Sequence, residues 1–211
     1  MKTEDLIRAL AADTQDTRPM AARMLTALVP ALLVSLAALW LVLGFRADLG
    51  KSLLITDSIM RFVLTGAVGL LGARIALVLA RPEGRDEVRL WPLLAVAIAA
   101  FAVLVWAFVT TPPEGVQMKL VGKTLTTCMI TIPLLSILPV TAIMWVLRQG
   151  ATTAPMLAGF VAGLGGGGLS AAIYALHCTE DSPLFYVPWY GLAIAGVTLV
   201  STMIGARLLR W

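Results

Sequence analysis

LWPLLAVAIAAFAVLVWAFV, residues 90–109, is a run of twenty residues without one charged side chain. At about 1.5 Å of rise per residue, a helix of that length is about 30 Å long, the thickness of a bilayer's hydrocarbon core. Barrel strands alternate apolar and polar residues, and this run does not. Hydrocarbon offers no partner to a backbone N–H or C=O, so a helix, which satisfies both internally, is the expected form.

Five further runs have the same character: Met24–Leu43, Phe62–Ala80, Thr124–Val146, Met156–Ala175 and Val187–Ile204. The whole composition agrees. Of 211 residues, 59% are hydrophobic and 13% charged, against roughly half and a quarter in a soluble domain. The fold class predicted is all-α: a polytopic membrane protein with six transmembrane helices. The first run is too long for a signal-peptide core and lacks a small-residue cleavage site, so it is expected to remain as the first span. Pro30, Pro133 and Pro139 fall inside spans, where kinks are expected.

Lysine and arginine set the orientation. With the N-terminus inside, the cytoplasmic segments carry Lys2, Arg8, Arg18, Arg23, Arg81, Arg85, Arg89, Arg148, Arg207 and Arg210. The outer segments carry Arg46, Lys51, Arg61, Lys119 and Lys123. Ten against five favours both termini in the cytoplasm. The last outer loop holds Glu180 and Asp181 and no cation.

Two parts follow: a polar cytoplasmic segment, 1–19, and a six-helix domain, 20–211. In the segment, Thr3 can cap a helix whose first turn holds Glu4 and Asp5, which suits the helix dipole. Leu6, Ile7 and Leu10 then share one side, away from Arg8. Pro19 can open the helix that becomes span one. About three turns with three large apolar residues are not stable alone in water. Such a segment either lies on the membrane surface or folds into a partner's groove.

The loop RPEGRDEVR (81–89) balances three arginines with three acids and reads as a solvated turn. In the fifth run, Gly159 and Gly163 have the spacing that lets helices pack closely in lipid. Gly165–Gly168 follow no strand, so they read as helix packing or a local break. Gly66, Gly69 and Gly72 suggest a second tight contact. The six tryptophans lie near span ends, as an interfacial belt requires. Arg74 sits inside span two, where it can snorkel.

Chemistry-bearing groups are few. The inner half of the spans has no acid–base chain of the kind proton pumps use, with Asp48 and Asp57 at the outer edge. What remains is Cys128, Cys178 and His177. Spans four and five are antiparallel and consecutive, yet both cysteines fall at the outer rim. Three readings stand: a structural disulfide or two unrelated small residues; a redox switch; or a soft-metal site with His177 and Met118 or Met129 as further ligands.

The opening MKTEDLIRALAAD (1–13) and the outer motif HCTEDSP (177–183), with the six spans, resemble the NrsF family of bacterial membrane anti-sigma factors. The likeness covers nearly the whole chain. It implies a multi-pass inner-membrane protein, N-terminus in the cytoplasm, that sequesters an extracytoplasmic-function sigma factor. The binding residues would be Leu6, Ile7 and Leu10 as anchors, with Glu4, Asp5 and Arg8 setting orientation. The resemblance also links a cysteine pair, here matching Cys128 and Cys178, to sensing oxidants or heavy metals. On this reading the protein is not an enzyme and touches no nucleic acid. Its partners are the sigma factor and the bilayer, and its one candidate cofactor is a soft metal ion held by Cys128, Cys178 and His177. Rival readings are a membrane thiol oxidoreductase and a small metal transporter. The nine methionines favour the latter, although scattered methionine more often packs than ligates.

Overall fold

The computed structural model describes residues 18–210. The expected binding residues Glu4, Asp5, Leu6, Ile7, Arg8 and Leu10 lie outside them. Six long helices run through the described chain: α1 (Met20–Val42), α3 (Thr56–Leu79), α5 (Trp91–Thr110), α7 (Leu125–Gln149), α8 (Pro155–Tyr174) and α9 (Pro183–Leu208). Short helices α2 (Leu49–Ser52), α4 (Gly84–Glu87) and α6 (Pro113–Val121) sit in the connections. Each of the six long helices is apolar and long enough to cross a bilayer.

Boundaries match the apolar runs to within a few residues, with two extensions. α3 starts at Thr56 rather than Phe62, and α9 runs from Pro183 to Leu208 rather than Val187–Ile204. The added stretches, residues 56–61, 183–186 and 205–208, lie at the ends of the apolar runs. Pro155 and Pro183 each open their helix at the first position, where a missing N–H goes unmissed. Pro19 stands just before α1 with an extended backbone rather than inside its first turn.

α8 is the axis of the bundle. It packs against α3, α7 and α9, and most of its length is buried, whereas α5 buries Ala107 alone. The reason lies in its glycines, all helical, so the run Gly165–Gly168 is packing surface and not a break. A Cβ added at Gly72 would stand 2.5 Å from the Gly165 amide nitrogen, and one at Gly168 would stand 2.5 Å from that of Gly69. The α3 and α8 backbones are therefore in direct contact over two turns. Gly159 faces Gly205 of α9 in the same manner. Lipid offers no hydrophobic drive between helices, so close backbone approach is what holds them.

A stability prediction follows. Gly168→Ala should destabilise the bundle by about 1–3 kcal/mol, because the new methyl forces two backbones apart. Gly66 has open space around it, so Gly66→Ala should be neutral or slightly stabilising. Thermal unfolding in detergent checks both; equal behaviour of the two variants would refute the close seam.

α1 uses one narrow stripe. Met24, Leu28, Ser35 and Leu39 are buried, and the helix packs chiefly along α7. Ser35 Oγ donates to the Leu135 carbonyl at 3.0 Å, and Arg23 Nη1 donates to Gln149 Oε1 at 3.1 Å. The first helix is thus tied to α7 at mid-height and at the end where residues 1–19 join it.

Candidate functional site: a buried dithiol under an ionic clamp

Cys128 and Cys178 converge. Cys128 is on the first turn of α7 and Cys178 follows α8. Both are free thiols, both are fully buried, and they belong to one apolar cluster with Leu39, Ile132, Tyr174 and Tyr190. Thr124 supplies a gauge of their approach. Its hydroxyl lies 3.5 Å from Cys178 Sγ, and its carbonyl accepts the Cys128 N–H one helical turn on, at 2.8 Å. The thiols therefore share one pocket of side chains at one end of the bundle. The other end carries Arg23, Arg81 and Gln149.

The third sequence candidate, His177, is anchored through one ring nitrogen. Its Nδ1 is 3.0 Å from the Gly44 carbonyl, so the ring braces the exit of α1. Met118 is exposed on α6, whereas Met129 packs against the thiol cluster. Among the described residues, no group of three or more His, Cys, Asp or Glu side chains is placed to hold a metal ion. Of the expected metal set, the structure brings together the two sulfurs.

Sequence reading missed the groups that hold the Cys178 loop in place. Arg46, four residues beyond α1, is nearly fully buried. Its Nη1 and Nη2 donate to Asp181 Oδ1 and Oδ2 at 2.7 and 3.0 Å. Its Nε and Nη2 donate to Asp48 at 2.7 and 2.9 Å, and Nη1 reaches the Cys178 carbonyl at 3.2 Å. A guanidinium can serve two carboxylates at once because its five N–H groups form a rigid planar fork. Arg61, wholly buried in α3, donates to the Glu180 carbonyl at 2.8 Å and the Ala175 carbonyl at 3.2 Å. It also pairs with Asp181 at 3.3 Å. Ser58 Oγ completes the cage, donating to Asp181 Oδ1 at 2.7 Å.

These contacts fix the charge states. Burial works to raise the Asp181 pKa. The hydrogen bonds from Arg46 and Ser58 and the charges of Arg61 and Arg46 outweigh it, and the carboxyl is held below its ordinary range. The hydrogen bond from Arg46 likewise lowers Asp48, and the bonds to Asp48 and then Asp181 hold Arg46 firmly protonated. The stability that a lowered carboxylate contributes is complete above its unfolded pKa and is lost as pH falls through its folded value. The clamp is therefore intact throughout the neutral range.

The chemical reach of the site is narrow. It holds two buried thiols in one apolar cluster, and a loop pinned beside Cys178 by Arg46, Arg61 and Ser58. Among the described residues, the buried hydroxyls of Tyr174, Tyr186 and Tyr190 have no hydrogen-bond partner of good geometry. They line the same cluster.

Fold and site together define a class: a helical bundle with six helices long and apolar enough to cross a membrane, and with two buried thiols beside an ionic clamp at one end. The family described as NrsF, negative regulator of sigma F, matches residues 10–211, and the chain belongs to it. It is similar to "Anti-sigma-F factor NrsF" of Caulobacter vibrioides (strain NA1000 / CB15N), with 40% identity over all of both chains. It is also similar to "Probable anti-sigma-F factor NrsF" of Azospira oryzae (strain ATCC BAA-33 / DSM 13638 / PS), with 32% identity over all of both chains. No solved structure matches. As a member of this family the chain is an anti-sigma factor, a regulator of transcription whose partner is a sigma factor.

Proposed function

We propose that this anti-sigma factor works as a signal relay across the bacterial inner membrane. Both termini face the cytoplasm, residues 1–19 hold an extracytoplasmic-function sigma factor, and the Cys128–Cys178 pair at the periplasmic end receives an oxidant or a heavy metal. One observation carries the reading: the two thiols are buried in a single cluster at the bundle end opposite the start of α1.

Oxidation gives the simplest chemistry. Two thiols become one disulfide, releasing two protons and passing two electrons to the oxidant, which is reduced. Two thiolates gripping one soft metal ion would tie α7 to the Cys178 loop in a similar manner. His177 holds the Gly44 carbonyl through Nδ1, which leaves Nε2 as the nitrogen with which the ring would join the sulfurs around a metal ion.

The relay has a material path through packed helices and the clamp. α1 packs along α7, which carries Cys128, and the chain just beyond α1 is bolted to the Cys178 loop. Arg46 N–H donates to the Leu176 carbonyl at 3.1 Å, in addition to the side-chain clamp. A bridge between the thiols would draw α7 and that loop together, and both press on α1. Its opposite end leads directly into residues 1–19. Two packings differing by about 1–3 kcal/mol in sigma affinity would suffice for a 5–150-fold response.

Binding itself is tested at the N-terminal segment. Leu6→Asp or Leu10→Asp places a charge where an apolar anchor should enter a groove. The expected loss is at least about 2 kcal/mol, or about thirtyfold in affinity, read as failure of the sigma factor to co-purify with the full-length protein from solubilised membranes. Undiminished co-purification with both variants would put the interface elsewhere. Turnover of a dithiol substrate by the purified protein, or metal flux in proteoliposomes, would favour the oxidoreductase or transporter reading instead.

A further inference from the structure

At the bundle end away from the thiols, a cleft of about 310 Å³ opens between α3 and the start of α5. Its apolar walls include Leu71, Val78 and Pro92, its aromatic rim is Trp91, and Arg74 and Arg89 both line it. Glu87, the one acid on the lining, is engaged by Arg81 at 2.5 Å. Among the described residues, neither Arg74 nor Arg89 has a hydrogen bond or an acidic partner. Two arginine side chains thus face one small space with their charge unanswered.

The location matters as much as the charge. Arg74 is five residues before the end of α3, about 7 Å below it at the helical rise. It is exposed on the outer face of the bundle, in line with Leu70, which is 66% exposed. In a membrane that face meets lipid. A lone guanidinium at that depth is costly unless it reaches the headgroup region or finds an anion. Trp91 marks the interfacial level. The chemistry that fits two arginines at the headgroup level is an oxygen-rich anion, since the guanidinium fork matches phosphate geometry.

We propose that this cleft is a binding site for an anionic phospholipid, with the headgroup phosphate held by Arg74 and Arg89 and an acyl chain along Leu71 and Val78. Basic clefts between membrane helices at the interface are suited to this ligand class. The site would anchor α5, the least buried of the six long helices, to α3. The inference rests on the chain spanning a bilayer, though not on the sigma factor or the thiols.

The test uses the full-length protein in nanodiscs and in mixed micelles. Membrane residence is scored first by resistance to alkaline carbonate extraction; release there would overturn the spanning reading separately from the lipid site. Native mass spectrometry and thermal shift then compare phosphatidylglycerol, phosphatidylcholine and inorganic phosphate. The expected result is retention of phosphatidylglycerol, with a raised melting temperature, over both alternatives. The double variant Arg74→Gln/Arg89→Gln should bind phosphatidylglycerol at least about tenfold more weakly, as loss of charged hydrogen bonds to phosphate predicts. Arg89→Gln alone, in an exposed turn, gives an intermediate loss and guards against misfolding of the double variant. Equal retention of the two lipids by the natural chain, or unaltered phosphatidylglycerol binding by both variants, would overturn the site. So would a variant that keeps lipid but loses an acidic protein partner, since the cleft would then be a protein-docking surface.

Discussion

Cys178→Ser is expected to leave the sigma factor held under conditions that release it from the natural chain. On the proposed relay a coupling of about 1–3 kcal/mol gives a 5–150-fold change in sigma affinity. Removing either sulfur takes that factor to one. Cys128→Ser should behave identically, because a disulfide or a two-sulfur metal site needs both partners. Both sulfurs are buried in a mixed apolar and hydroxyl setting. Serine there is a near-isostere, and the bundle should remain folded. Two measurements check the outcome. A target-gene reporter in cells treated with a thiol oxidant, and separately with a thiophilic metal, reads release. Acid-quenched samples alkylated after denaturation read whether two thiols or none accept the tag. Normal induction in both serine variants would end the sensor assignment while leaving the anti-sigma identity intact. Loss of tagging in the natural chain without sigma release would show that the disulfide forms but does not signal.

Arg46→Ala has the second large effect, and it acts on stability as well as signalling. The substitution strips Asp181 of a bidentate partner and leaves Asp48 and the Cys178 carbonyl without their donor. Breaking a buried ion pair by removing one member typically costs about 3–5 kcal/mol. Asp48 is half-exposed and water can solvate it, so about 3 kcal/mol is expected. For a chain of this size that corresponds to a drop in melting temperature of about 6–12 °C. The signalling consequence is distinct. With the clamp gone, the thiols should still be oxidised, but sigma retention should no longer follow their state. Arg46→Lys keeps the charge and loses the fork, so a smaller shift in both readouts is expected. A variant with natural melting temperature and natural coupling would show that the clamp is ornamental, and α1 would need another connection to the thiols.

The asymmetry between these two sites says why one was legible and the other was not. The cysteines share an end because two long helices, an even number of crossings, lie between them, and helix count is readable from apolar runs. Their rim assignment therefore needed no tertiary information. Arg46 and Arg61 were legible merely as outer cations, and Asp181 merely as a charge next to Cys178. The cue was present: the last outer loop carried acids and no base, so its charges had to be answered from another loop or by water. Which loop answered was hidden. Arg46 and Asp181 are 135 positions apart, and nothing in either local sequence encodes the angle at which their segments meet.

His177 illustrates the converse. Adjacent to Cys178, it looks like a ligand by sequence proximity. The structure gives its Nδ1 the Gly44 carbonyl at the exit of α1, a contact across 133 positions that no local sequence encodes. The glycines of α8 were legible as packing residues, with partners undetermined. Gly69 and Gly72 meet α8, whereas Gly66 on the same helix meets nothing, because it is turned off the face of α3 that α8 covers; its neighbour Thr65 lies against Gly168.

By itself, the amino-acid sequence determined the six helices long and apolar enough to cross a bilayer, their alternation and the co-location of the thiols at one end of the bundle. Those properties depend on the length and polarity of contiguous runs, which a bilayer reads one segment at a time. The tertiary structure alone decided that α8 is the axis, that α1 leans on α7, and that Arg46, Arg61 and Asp181 lock the Cys178 loop. Such choices turn on which helix faces meet, and in lipid they are settled by steric fit between backbones and by long-range pairing of the few charges that cannot remain alone.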